Sequence, residues 1–194
     1  MNLTGMITLV RRDLKDETAP YRWSDDELTR HIDRAVKELS ERVPLPAMAL
    51  LPTTADSREV DISSLEDRIM VQAVEYPVDE FPIRYQRFSV WGDTVTLITG
   101  DIPNGGNCQV YYGTVHVLNA AGSTIPTKHE DIVTAGAAGY AAIEMAAYAI
   151  NRVNIGGKST PREYRLWGNA RLETFKDRLK RLGRRNRLRS SQLY

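Results

Sequence analysis

The chain has 194 residues, enough for one sizeable domain or a domain with a large insertion. Its 42% hydrophobic and 26% charged residues exclude a disordered or fibrous chain, and its single cysteine, Cys108, excludes an internal disulfide and a cysteine-based zinc site. The net charge of +1 conceals a run of seven basic residues without an acid from Arg178 onward (Arg178, Lys180, Arg181, Arg184, Arg185, Arg187, Arg189), against 19 basic and 25 acidic residues in the rest, so the chain end is suited to meet something negative.

Leu3, Met6, Ile7, Val10 and Leu14 form a helical stripe from about Thr4 to Lys15, and Arg11, Arg12 and Asp13 interrupt it too early for a signal peptide. Ala19-Pro20-Tyr21 breaks it. Trp23-Ser24-Asp25-Asp26-Glu27-Leu28 then reads as a complete helix start. Ser24 is the N-cap, Glu27 closes a capping box, Trp23 and Leu28 form a staple, and the aspartates face the positive end of the dipole. Leu28, Ile32, Ala35, Val36, Leu39 and Val43 continue the core stripe until Pro44 and Pro46 end the helix.

The middle of the chain changes character. Residues 45–57 read as a Pro- and Thr-containing connection. Strand candidates follow at Glu59–Ile62, Arg68–Tyr76, Ile83–Val90, Thr94–Thr99 and Asn107–Leu118, with Trp91-Gly92-Asp93 as a hairpin turn and residues 101–106 as a loop. About five strands, mostly antiparallel, are expected.

Helices then return. Thr127 with Glu130, and Thr160 with Glu163 around Pro161, repeat the capping device, and residues 154–159 form a loop between the two helices. The first of these helices runs to about Arg152 and carries Ala135, Gly136, Ala138, Gly139, Ala142, Ala146 and Ala149, a face that lets another helix approach closely. Asp131–Ile150 has membrane-spanning length, but Glu144 and its Ala/Gly composition mark a buried soluble helix. The last helix carries Tyr164, Trp167, Leu172, Phe175, Leu179 and Leu182, with Gly183 as its C′ residue. The expected architecture is α+β: a bundle of long helices (1–44 and 126–183), an inserted small antiparallel β-sheet or sandwich (45–125), and an extended basic tail (184–194).

Catalytic signals are thin. His31, His116 and His129 are scattered along the chain. His129-Glu130 opens like a zinc-protease motif, but Val133 stands where the second histidine belongs. His31 borders an apolar stripe, and His116 falls on the last strand candidate. Gly156-Gly157-Lys158-Ser159 lacks the upstream glycine and the strand of a phosphate loop. No cofactor or metal is expected, and no enzymatic activity. The Asn2-Leu3-Thr4 glycosylation match has no supporting context. The basic tail reads either as a solvated helix end, which accounts for Arg178–Arg181 better than for Arg184–Arg189, or as a segment that docks on a partner. Protein docking is favoured because the body is acidic and Tyr194 is the only aromatic residue after Phe175; the alternative is a nucleic-acid-binding module using the same tail.

The ordered set resembles the head–tail adaptor (connector, head-completion) proteins of tailed bacteriophages over nearly the whole length. It comprises a helix, the Trp23-Ser24-Asp25 helix, a β middle ending in Tyr111-Tyr112-Gly113 and Val115-His116-Val117-Leu118, Ser123-Thr124-Ile125-Pro126, His129-Glu130-Asp131, the small-residue helix, a Trp167-bearing helix and a basic end. The resemblance implies a structural virion protein at the neck, made in the host cytoplasm. It implies a dodecameric ring of copies under the portal that extends the DNA channel, passes genomic DNA without specific binding, offers a platform to a tail or head-closure protein, and touches no membrane. The end of the chain would reach onto the portal protein through Arg184, Arg185, Arg187 and Arg189, with Leu188, Leu193 and Tyr194 packing alongside.

Overall fold

The computed structural model describes residues 1–100, 102–149 and 161–190, with side chains up to Arg184. The fold is α+β. Its elements are α1 (Leu3–Leu14), α2 (Asp25–Arg42), β1 (Leu45–Pro52), β2 (Glu59–Asp61), β3 (Arg68–Glu75), β4 (Tyr85–Trp91), β5 (Thr94–Ile98), β6 (Asn107–Thr114), α3 (Thr127–Ala149) and α4 (Pro161–Ser190). They divide between two compact units, one made of Met1–Val43 with His116–Arg184 and one built on Pro44–Val115.

In the helical unit, α1 starts at Asn2, whose side-chain oxygen accepts the Gly5 amide at 3.0 Å. The residue that matched a glycosylation site is therefore a helix cap. The α2 capping box forms as its sequence dictates: the Ser24 amide donates to Glu27 Oε2 at 2.7 Å, and the Glu27 amide donates to Ser24 Oγ at 3.2 Å. Trp23 and Leu28 both lie in the core, with Met6, Val10, Ile32, Leu39, Val133, Phe175 and Leu179. A buried ionic knot ties α1 to the start of α2. Arg11 Nη1 donates to Asp16 Oδ2 at 2.7 Å, and its Nη2 donates to the Trp23 carbonyl at 2.9 Å and to Asp25 Oδ1 at 2.8 Å. Asp16 in turn accepts the Arg22 amide at 2.9 Å. α3 has the length and apolarity of a membrane span, but most of it is buried inside this unit.

One capping expectation is revised here. α3 begins with Thr127 itself, and the Glu130 carboxylate accepts from the Met1 amine at 3.1 Å instead of closing a box. The Thr160 device and the loop at residues 154–159 lie outside the described residues, as does Arg152.

The β unit is one curled antiparallel sheet in the order β1-β6-β3-β4-β5-β2. Register shifts in β3 against β6 mark bulges, which bend and twist a strand locally. Val60, Ile62, Val74, Val95, Leu97, Cys108 and Val110 fill its inner face. The sheet has six strands, because residues 45–52 pair with β6 over their whole length instead of forming a connection. Pro46 and Pro52 are compatible with that role since β1 is an edge strand, where a missing N–H breaks no ladder. At the other end β6 stops at Thr114. His116 is therefore off the strand: its amide donates to Ser40 Oγ at 3.0 Å, and its Nε2 lies 3.0 Å from the Val43 carbonyl. The β4–β5 hairpin turns at Gly92 with φ 55°, a conformation that favours glycine.

Candidate docking site

α4 is anchored by close helix packing on α3. A Cβ on Gly168 would meet the Gly139 carbonyl oxygen at 2.9 Å, and one on Gly136 would meet the Phe175 ring at 3.0 Å. These glycines leave the room that lets Leu172, Phe175 and Leu179 reach the core, where Phe175 meets Tyr140 edge to face with ring centroids 6.4 Å apart. Arg171 pairs with Asp13 at 3.0 Å, and Arg22 Nη1 donates to the Tyr164 hydroxyl at 2.5 Å. The first part of α4 is thus held at several points on α1, α3 and the segment before α2.

Beyond Leu182 the apolar stripe stops. Positions 186 and 189 continue the line of Leu179 and Leu182 at helical spacing, and they are Asn and Arg. The helix nevertheless continues through Gly183 to Ser190, which corrects the expectation of a C′ glycine followed by an extended segment. Gly183 is not in the left-handed conformation that a C′ residue requires. Arginine is a good helix former, and cations are favourable at the negative end of the dipole, so the basic run sustains the helix instead of ending it.

Of the seven residues expected to dock, Arg184, Arg185, Arg187, Leu188 and Arg189 lie on this last stretch of α4, while Leu193 and Tyr194 lie outside the described residues. Upstream, Arg178, Lys180 and Arg181 are exposed, and Arg181 pairs with Asp177 one turn back at 2.8 Å.

The β unit carries features the sequence reading missed. Trp91, at the tip of the β4–β5 hairpin, is 90% exposed, and Phe81, in the loop before β4, is 98% exposed. The hairpin turn itself was legible, and an aromatic residue at its corner was the available signal. Met48 and Leu50 face outward from edge strand β1. Large exposed aromatics are frequent binding anchors.

Of the polar groups that could suggest chemistry, His31, Glu144 and Tyr140 are engaged in ion pairs or hydrogen bonds, whereas His129 Nδ1 is buried without a hydrogen-bond partner. His31 Nε2 lies 2.5 Å from Glu144 Oε2, and burial, opposed by that carboxylate, lowers its pKa. Glu144 also holds the Arg30 guanidinium, and that bond keeps its own pKa below the ordinary value. His129 is buried in the first turn of α3, where burial, aided by Lys128 and His116, lowers its pKa. The Cys108 thiol is pushed up to about 11 by burial, so it stays protonated and inert. Tyr140, buried and bonded to Glu38, rises to about 12. Among the described residues no group of three or more His, Cys, Asp or Glu is placed to hold a metal ion.

The helical unit thus ends in a basic helix, and the sheet displays the exposed aromatic side chains of Trp91 and Phe81. The family is set by comparison with known proteins. The model described as SU10 adaptor protein matches residues 1–192, and the chain belongs to that family, as its resemblance to head–tail adaptors anticipated. No curated protein matches the sequence. Among solved structures, a chain from the neck of an empty GTA particle computed with C6 symmetry is similar over 85% of this chain and 88% of that one, with 11% identity and a TM-score of 0.31.

Proposed function

We propose that this adaptor is a virion protein of a tailed phage that forms a ring between the portal and the tail and extends the DNA channel. In this reading the helical body (1–44 and 126–183) forms the ring wall, the β region (45–125) offers surface to neighbours, and residues 184–194 latch onto the portal protein. The carrying observation is membership of an adaptor family across residues 1–192. The chemistry of the chain end supports it. Arg184, Arg185, Arg187 and Arg189 bring four cations to a helix whose apolar stripe has ended, and guanidinium groups recognise carboxylates in a bidentate manner. Leu188, Leu193 and Tyr194 supply apolar contacts between them.

Deleting residues 184–194 tests the latch. The truncated protein is expected to fold, because Phe175, Leu179 and Leu182 retain their packing, and to fail to join portal-bearing heads. Normal incorporation would refute the assignment. Steep, salt-dependent binding of duplex DNA by the intact chain, lost on truncation, would instead favour a nucleic-acid-binding module.

A further inference from the structure

The charge of this chain is unevenly placed. The strand-bearing segment Pro44–Val115 holds ten acidic and four basic residues, a net of −6. The chain from Arg178 onward holds seven basic residues and no acid, and everything else is balanced at fifteen of each sign. The surplus charge therefore sits in two poles of opposite sign.

The negative pole has structure. Glu59 and Asp61 lie on β2, Glu66 and Asp67 follow in the next turn, and Asp93 is in the β4–β5 turn, whose carbonyl accepts the Ile62 amide at 2.9 Å. All five are exposed. Two cations lie beside them: Arg58, which precedes β2 and donates to the Thr99 carbonyl at 3.3 Å, and Arg68. Arg68 follows Asp67 at the start of β3. It is spent on Asp93 Oδ1 at 3.0 Å and on the carbonyls of Ile62 at 2.7 Å and Gly92 at 3.1 Å. Trp91 projects from this turn, 90% exposed.

We infer that the chain self-associates head to tail, the acidic Trp91 end of the β unit of one copy seating on Arg178, Lys180 and Arg181 of α4 in a second copy. Charge complementarity selects a second copy, because each chain carries both halves of the contact. A contact between two different patches is heterologous, and repeated by a rotation that closes on itself it generates a ring. Trp91 supplies the desolvated anchor that surface ion pairs alone lack. The inference rests on the ring reading above and specifies its faces, leaving Arg184 onward for the portal.

Sedimentation velocity of the full chain tests it. Wild type is expected to associate at about 0.05 M salt and to weaken at least about tenfold by about 0.5 M, where screening is strong. Glu59→Lys with Glu66→Lys, and separately Arg178→Glu with Lys180→Glu, are each expected to weaken association at least about tenfold, with circular dichroism showing both variants folded. Mixing the two variants restores association, since every contact then joins opposite charges again. Trp91→Ala weakens association by a similar factor. Deleting residues 184–194 leaves it in place. Association unaltered by the charge variants, or not restored by mixing them, overturns the assigned faces while leaving the ring reading standing. A wild-type chain that stays monomeric at low salt overturns the self-association, and the ring reading is judged separately by joining to portal-bearing heads.

Discussion

Two glycines in one helix are expected to respond to the same substitution with opposite signs. In an unstrained helix, Gly→Ala stabilises by about 0.8–1 kcal/mol, because alanine loses less backbone freedom on folding. Gly183 meets that condition: its added Cβ would lie 3.4 Å from Arg42 Cδ, the flexible part of a long side chain that can shift slightly. Gly183→Ala should therefore retain most of the gain and strengthen the continuation of α4 to Ser190. Gly168 is different. Its Cβ would stand 2.9 Å from the Gly139 carbonyl oxygen and 3.1 Å from Ile143 Cδ1 and Cγ1. A backbone oxygen cannot rotate away, so α3 and α4 would have to separate. Overpacking of this kind costs up to about 3 kcal/mol, which exceeds the propensity gain of about 1 kcal/mol and leaves a net loss of up to about 2 kcal/mol. Urea unfolding followed by far-ultraviolet circular dichroism measures both. Fluorescence adds a second readout, because Trp23 packs edge to face on Tyr164 at the start of α4. The reasoning fails if Gly168→Ala is as stable as Gly183→Ala.

Asp16→Ala should destabilise by about 1.5–3 kcal/mol, because it removes the buried partner of the Arg11 guanidinium, which keeps Asp25 and the Trp23 carbonyl, and frees the Arg22 amide; a chemical-denaturation loss below about 1 kcal/mol would contradict a buried knot. The pH dependence has a defined sign. Burial lowers the pKa of His129 in the folded chain, so the unfolded chain binds the proton first as pH falls. The stability this histidine contributes is complete above its ordinary value near 6.5 and is lost as pH drops below it. Between neutral pH and about pH 5.5, His129→Gln should lose less stability than wild type; parallel melting-temperature profiles would show that His129 is not a source of the slope.

Local chemistry was the legible part of this fold. The α2 start was readable because every partner in its capping box lies within four residues, and the β4–β5 hairpin because a turn glycine announces itself. β1 was not legible. Leu45–Pro52 contains two prolines and no β-branched residue, and only its pairing with β6, some sixty residues away in sequence, makes it a strand. The end of α4 misled for the opposite reason. Gly183 reads as a stop signal, yet the arginines around it favour helix strongly enough to carry the chain through. The basic run was plain from composition. The matching acidic pole was hidden because, until Val43/Pro44 and Val115/His116 emerge as boundaries, its surplus is spread across the whole body.

That last correction changes how a latch at the chain end would work. An extended segment would order only on docking, at a cost of about 1–2 kcal/mol for each backbone residue fixed. Residues 184–190 are already helical, so much of that cost is met when the subunit folds. Basic residues also recur at regular spacing in the sequence, Arg181, Arg185 and Arg189 every four residues and Arg184 and Arg187 three apart. A rigid latch of this kind demands a partner whose acidic groups match that spacing, and it makes helix-breaking changes as damaging as charge removal. Proline at Asn186, which leaves all seven cations in place, should then impair joining to portal-bearing heads to a degree comparable with deleting residues 184–194. Unimpaired joining by Asn186→Pro would show that the segment acts by charge alone.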